Sequence, residues 1–166
     1  MILRMATELT PLARALGRIP TGLYLVTTRD GGVDGPPQGF VGSFLMQVGF
    51  EPPVVCVAIK KGRPYVDQIR RNGRFGVSIL DASSQGAMKA FFGKSADGKG
   101  PFEQLAFENA PHGSPVLGSA LAWFECKLQG VHDSGDHEVV FGVVESGAAA
   151  RDNEPAVHLR KNGLGY

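Results

Sequence analysis

The sequence predicts a mainly β (α+β) fold, a small antiparallel barrel with short helical insertions. Short stretches of alternating or continuous apolar residues recur along the chain, as strands require. Clusters of glycine, proline and aspartate separate them, so hairpin signals dominate. The roughly six strands and two or three short helices do not alternate as regular βαβ units, which argues against a doubly wound sheet. At 166 residues the chain reads as a single domain, 1–166, able to bury a sizeable core without staples.

Thr10-Pro11 supplies an N-cap and a first helical residue; Leu9, Leu12 and Leu16 fall at helical spacing before Gly17, which predicts a short first helix. Residues 22–28 are β-branched and aromatic, and residues 29–37 form a turn cluster. Residues 38–48 read as one long strand containing Gly39 and Gly42. Pro52-Pro53 breaks the chain before residues 54–59, a continuous apolar run of the kind buried on both faces. A helix is expected from Pro64 to Asn72-Gly73, with Val66 and Ile69 inward. Residues 74–80 alternate, with Phe75, Val77 and Ile79 on one side and Gly76, Ser78 and Leu80 on the other. Ser83 or Ser84 is expected to cap a helix carrying Met88, Phe91 and Phe92, which Gly93 ends. Residues 94–100 are a polar loop, 101–105 a helical turn, and 107–117 irregular or edge strand. Residues 120–131 and 138–146 are the strands of a hairpin that turns at 132–135.

The formal charge is +1 with acids and bases interspersed, which argues against a general nucleic-acid binder or a membrane-surface protein. Cys56 and Cys126 each sit in an apolar run, where a reduced thiol acts as a small hydrophobe, and no disulfide is expected. The opening residues 1–5 hold too short an apolar stretch for a signal segment, and no run approaches a membrane span. The expected location is the cytoplasm.

Two turns carry candidate chemistry. Lys60-Lys61-Gly62-Arg63-Pro64 leaves a buried strand and leads directly into a helix. Cations beside free N–H groups at the positive end of a helix dipole suit a phosphate; a solvated basic turn is the alternative. The second is Ser134-Gly135-Asp136-His137, which sets an acid and an imidazole at the tight entry to a strand. His137, Val139, Phe141 and Val143 share one strand face, and Glu138, Val140, Gly142 and Val144 the other. His137 is either a polar contact to a ligand or a partly exposed turn histidine. Gly39, Gly42 and Ser43 mark either a close approach by a ligand to bare backbone or a barrel corner. His132, Asp133, Asp136 and His137 crowd one turn, but a metal site wants ligands converging from separate elements, so none is expected. There is no Gly-x-Ser-x-Gly elbow and no Gly-x-Gly-x-x-Gly turn, which disfavours hydrolase chemistry and a Rossmann site. Trp123, Phe124, Phe91 and Phe92 read as core; Phe91 or Phe92 bordering a ring-shaped ligand is the alternative.

An ordered set of segments carries a resemblance. It comprises Gly39 to Phe44, Pro52-Pro53, Phe75-Gly76-Val77-Ser78-Ile79-Leu80, Gln85 ahead of Phe91-Phe92, Pro115-Val116-Leu117 before Ala120 to Cys126, Gly135-Asp136-His137, and Asn162-Gly163-Leu164-Gly165-Tyr166. With these the chain resembles the flavin reductase-like family of FMN-binding split barrels from about residue 16 to 166. The pattern looks most like the flavin reductase module of cyanobacterial flavodiiron proteins, without the diiron or flavodoxin modules. The resemblance implies an antiparallel Greek-key split β-barrel and FMN, or FAD, in a groove of a homodimer. The flavin ring would rest on Phe40, Val41, Gly42, Ser43 and Phe44 and on Val57, Ala58 and Ile59. Its phosphate would meet Lys60, Lys61, Gly62, Arg63 and Pro64, where charge replaces the family's frequent serine and threonine. Ser78 and Gln85 match positions that contact flavin or its ribityl chain. Gly135, Asp136 and His137 match the place that receives the nicotinamide of NADH or NADPH. The implied activity is hydride transfer from NAD(P)H to flavin, with His137 positioning a ring and an oxygenase or other acceptor taking the electrons. Two alternatives stand beside it: a flavin-binding electron carrier reduced by a protein partner, and a cofactor-free barrel used for assembly.

Overall fold

The computed structural model describes residues 8–93 and 95–166. Residues 1–7, which include the stretch too short for a signal segment, and Lys94 of the polar loop lie outside the described residues. Nine strands and four helices are described: α1 (Pro11–Leu16), β1 (Tyr24–Arg29), β2 (Pro37–Gly42), β3 (Leu45–Phe50), β4 (Pro53–Lys60), α2 (Tyr65–Asn72), β5 (Arg74–Ile79), α3 (Gln85–Phe92), α4 (Pro101–Gln104), β6 (Phe107–Asn109), β7 (Pro115–Leu117), β8 (Ala122–Asp133) and β9 (His137–Ala149). Seven strands form one antiparallel sheet in the order β2-β1-β5-β8-β9-β4-β3, and β6 pairs with β7. The fold is mainly β and antiparallel, as expected.

The two end strands of that sheet, β2 and β3, are consecutive in the chain and joined only by Ser43-Phe44. A link that short spans on the order of 10 Å. The ends of the sheet are therefore drawn together covalently although no ladder pairs them, and the barrel is split there. This corrects the single strand expected over 38–48. β2 pairs with β1 and β3 with β4, at opposite ends of the sheet, so the chain must break between them. With β6 and β7, that division raises the strand count from about six to the nine described.

Alternation along the strands builds two cores. Val26, Val57, Ile59, Phe75, Val77 and Val140 fill the barrel. Leu25 and Leu80 turn the other way and pack with Ala87 of α3 and Leu117 of β7. The alternating segment 74–80 is thus buried on both sides, by barrel interior and by outer layer. α2 buries Val66 and Ile69, each contributing roughly 1.5–3 kcal/mol. It ends at Gly73 (φ 72°), whose N–H donates to the Ile69 carbonyl at 2.7 Å.

Gly39 has an internal explanation. A Cβ there would lie 2.7 Å from the Val26 carbonyl oxygen and 3.2 Å from the Phe102 ring, so strand and helix packing requires the glycine. The expected serine cap of α3 is corrected. Ser84 occupies the N-cap position, but its hydroxyl and that of Ser83 donate to Asp81 Oδ1, at 3.0 and 2.6 Å. Cys126 is buried, and burial with Glu125 and Glu145 nearby pushes its thiol up to about 12; Cys56 is half-buried. No helix among the described residues is long and apolar enough to cross a membrane.

Candidate functional site

The site follows from one strand pairing. β4 and β9 run antiparallel with Ile59 opposite Glu138 and Lys60 opposite His137. The basic turn after β4 and the hairpin turn before β9, remote in sequence, therefore lie side by side. The Lys61 N–H donates to the Asp136 carbonyl at 3.0 Å, and the Lys61 ammonium pairs with Asp133.

A cleft of about 540 Å³ opens beside this junction, within the size range of small-molecule sites. Phe40, Val41, Gly42, Ser43 and Phe44 line one wall, from the end of β2 and the link across the split. Ala58, Ile59 and Lys60 of β4 and Arg63 of the turn line another, and Met88 and Phe92 of α3 approach from outside. No acidic side chain lines this cleft among the described residues. Lys60 and Arg63 also enter no ion pair among them; the Arg63 guanidinium lies 5.8 Å from the Tyr65 ring centroid instead.

An adjoining cavity of about 290 Å³ shares Phe44, Lys60 and Tyr166 with the first and adds Asp136, His137 and Arg160. His137 Nδ1 lies 2.8 Å from Asp136 Oδ1 and Nε2 lies 2.9 Å from the Tyr166 hydroxyl. In the neutral ring the Nδ1–H donates to the carboxylate, so Nε2 accepts from the tyrosine O–H. The hydrogen bond from His137 holds the Asp136 carboxyl below its usual range. Burial pushes the Tyr166 hydroxyl up, against the attraction of Arg160 and Arg63, which keeps it a proton donor. Phe44 stands among these groups, its centroid 5.7 Å from that of His137 and 6.0 Å from that of Tyr166.

The structure gathers most of the expected residues but not all. Phe40, Val41, Gly42, Ser43, Phe44, Ala58, Ile59, Lys60 and Arg63 line the larger cleft, and Asp136 and His137 the smaller. Val57 points into the barrel core and backs the wall without reaching it. Lys61 turns to Asp133, Gly62 (φ 82°) reverses the chain, and Pro64 sits at the N-cap of α2. Gly135 (φ 95°) is the hairpin tip. Ser78 is a correction: it is wholly buried, and its hydroxyl accepts the Leu117 N–H at 2.9 Å, tying β5 to β7 away from the cleft. Gln85 is exposed at the start of α3, one turn before Met88, and does not line the cleft. Phe92, expected in the core, is 70% exposed and borders the cleft, because α3 buries the face carrying Ala87 and Ala90. Phe91 is half-buried, edge-on to Phe102.

Sequence reasoning missed Leu23, Met88, His158, Arg160 and Tyr166 as lining residues. The last three ride on an irregular segment fastened by backbone hydrogen bonds. Ala156 N–H donates to the Leu80 carbonyl (2.9 Å), His158 to Thr21 (2.7 Å) and Gly163 to Ala13 (2.8 Å). A Cβ on Gly163 would stand 2.3 Å from the Leu16 Cβ, so a glycine is needed for the segment to pass α1. No periodicity marks such a segment; its one signal was the Asn162 to Tyr166 match within the resemblance.

A split antiparallel barrel with an apolar cleft, cations unpaired among the described residues at its rim and a histidine alongside is a site for a flat, anionic small molecule. The chain belongs to the family of flavin reductase like domains, which it matches over residues 16–163. It is 35% identical over 154 residues to a putative diflavin flavoprotein A 3 of Synechocystis sp., covering 92% of this chain and 25% of that protein. The chain thus spans about a quarter of the diflavin flavoproteins it resembles. It is 34% identical to HsaB, the reductase subunit of a flavin-dependent monooxygenase of Rhodococcus jostii, over 87% of this chain and 71% of that one. In structure it is similar to nitrilotriacetate monooxygenase component B from Mycobacterium thermoresistibile, with a TM-score of 0.79 and 30% identity over 90% of this chain and 82% of that one.

Proposed function

We propose that the protein is an NAD(P)H:flavin oxidoreductase that binds FMN in the larger cleft and receives NADH or NADPH at the adjoining cavity. The pairing of Lys60 with His137 carries this reading, because it sets a cation shared by both cavities between the apolar cleft and the adjoining cavity that holds an oriented imidazole. The lining fits a flavin. Phe40 to Phe44, Ala58 and Ile59 offer a flat ring apolar walls, and Lys60 and Arg63 have no counter-ion among the described residues and suit its phosphate. FAD remains compatible with the same groups. A flavin held there would supply the redox chemistry, as acceptor of hydride from the nicotinamide. The chain's own contribution is to hold the reactants in register and exclude water. His137, its tautomer fixed by Asp136, positions the nicotinamide rather than acting as an acid.

The assembly proposed is a homodimer, and the acceptor an oxygenase component, by analogy with the monooxygenase reductase subunit HsaB. The proposed location is the cytoplasm. Two measurements on the purified protein test the reading. FMN should bind with a shift of its visible spectrum, and anaerobic addition of NADH or NADPH should bleach the complex within seconds. A complex that stays yellow assigns an electron carrier served by a protein partner; a protein that binds neither FMN nor FAD is a cofactor-free barrel.

A further inference from the structure

The smaller cavity contains a cation that the proposed function leaves unused. The Arg160 guanidinium carbon lies 4.5 Å from the Phe44 ring centroid, a cation–π contact that leaves the rim of the guanidinium free. Its Nε is buried without a hydrogen-bond partner, and its one side-chain hydrogen bond, from Nη1 to the Gly163 carbonyl, is long at 3.5 Å. It enters no ion pair among the described residues. Asp136 is the only acid lining the cavity among them, and its carboxylate already accepts from His137. Lys60 lines the same cavity, 5.8 Å from the Tyr166 centroid, and is also unpaired. A half-buried arginine with an unpartnered Nε–H, lining one cavity with a second free cation, is a receptor for a planar or tetrahedral oxyanion, for which the guanidinium fork is suited.

The arrangement of the two cavities says which oxyanion. Arg63 lines only the larger cleft, whereas Arg160 and His137 line only the smaller; Lys60 is common to both. Building on the reductase reading above, we propose that Arg160 anchors the phosphates of the dinucleotide hydride donor, the nicotinamide lying toward His137. Arg160 is then a specificity residue for phosphate-bearing donors, and the flavin phosphate is left to Lys60 and Arg63.

The test compares donors with and without phosphate. Steady-state flavin reduction is measured with NADH, with NADPH and with 1-benzyl-1,4-dihydronicotinamide, which carries none, for the wild type, Arg160→Ala and Arg160→Lys. Arg160→Ala should raise KM for both dinucleotides by about tenfold or more, with a weaker salt dependence than the wild type. Arg160→Lys should recover part of that loss, and KM for the phosphate-free donor should stay within about twofold. FMN affinity, titrated in parallel, should also hold, which reports that the variants are folded. An equal rise for all three donors would mean that Arg160 only braces Phe44, and weakened FMN binding would move it to the flavin; either overturns the inference, as does unchanged KM throughout. These outcomes differ from a wild type inactive with every donor, which would overturn the reductase reading and this inference together.

Discussion

His137 is useful because it has a partner at each ring nitrogen. The Asp136 carboxylate accepts from the Nδ1–H and the Tyr166 hydroxyl faces Nε2, so the imidazole is held in one tautomer and one plane. Removing it should damage orientation more than binding. Stopped-flow reduction of the His137→Ala complex should be slower by about tenfold to a hundredfold, with FMN affinity held within about twofold. Lys60→Ala and Arg63→Ala should show the opposite pattern, raising the FMN dissociation constant most at low salt and least at high salt. Unchanged reduction by the first variant, or salt-independent affinity in the others, would remove those side chains from their roles. The position of Lys60 and Arg63 at the cleft was legible as a basic turn leading into a helix, whereas His137 was singled out as a ligand contact only through the resemblance. The role of Ser78 was not legible, since its hydroxyl is committed to a backbone N–H on another strand, 39 residues away. Glu125 was invisible for the same reason. It is fully buried in an apolar run and accepts from the backbone N–H groups of His112 and Ser114, each at 2.9 Å.

Among the elements, the irregular segment after β9 does the most to shape the site, and Asp81 is its clamp. Asp81 Oδ1 accepts from Ser83 and Ser84, while Oδ2 takes Asn153 Nδ2 at 3.2 Å and the Arg151 guanidinium at 3.2 Å. The Ser83 hydroxyl leads these groups in lowering the Asp81 carboxyl to about 2. A carboxyl whose folded value lies below its unfolded one, about 3.9, stabilises the fold fully above that unfolded value. The contribution is lost as pH falls toward about 2. The segment carrying His158, Arg160 and Tyr166 should therefore loosen first as pH falls from about 4 toward about 2. At neutral pH, Asp81→Asn should mimic that state, accelerating hydrogen exchange at the amides of Ala156 and His158 by roughly tenfold while the β5 amides stay protected. Uniform acceleration across the barrel would show that Asp81 supports the whole fold instead. Strands and helices with a strict period were readable from the sequence, and their bounds shifted by only a few residues. The clamp was not, because serines ahead of a helix ordinarily signal a cap, and here the Ser84 oxygen accepts from the Asp81 N–H instead of a helix N–H while both hydroxyls donate to the Asp81 carboxylate.

For the molecule as a whole, the unresolved demand is the outer face of the split. β3 ends the sheet, pairs only with β4 and carries a register shift between Gln47 and Gly49, which blunts an edge against indiscriminate pairing. Yet Met46, Val48 and Phe50 are 61, 46 and 90% exposed along it. Apolar side chains collected on one sheet edge suit a surface for another chain to cover. A net charge of +1 offers little repulsion between copies. In the homodimer proposed here that strand meets the partner, which adds a further wall to the cleft. Phe50→Asp tests both halves of the idea, because it places a charge on the most exposed of these side chains without touching the cleft of its own chain. Sedimentation should show a wild-type dimer at micromolar concentration and a monomeric variant with native circular dichroism. FMN affinity should fall along with the dimer, since one wall of the site goes with it. A monomeric wild type would discard the assembly; a monomeric variant that binds FMN as tightly as the dimer would show that each barrel holds its flavin alone.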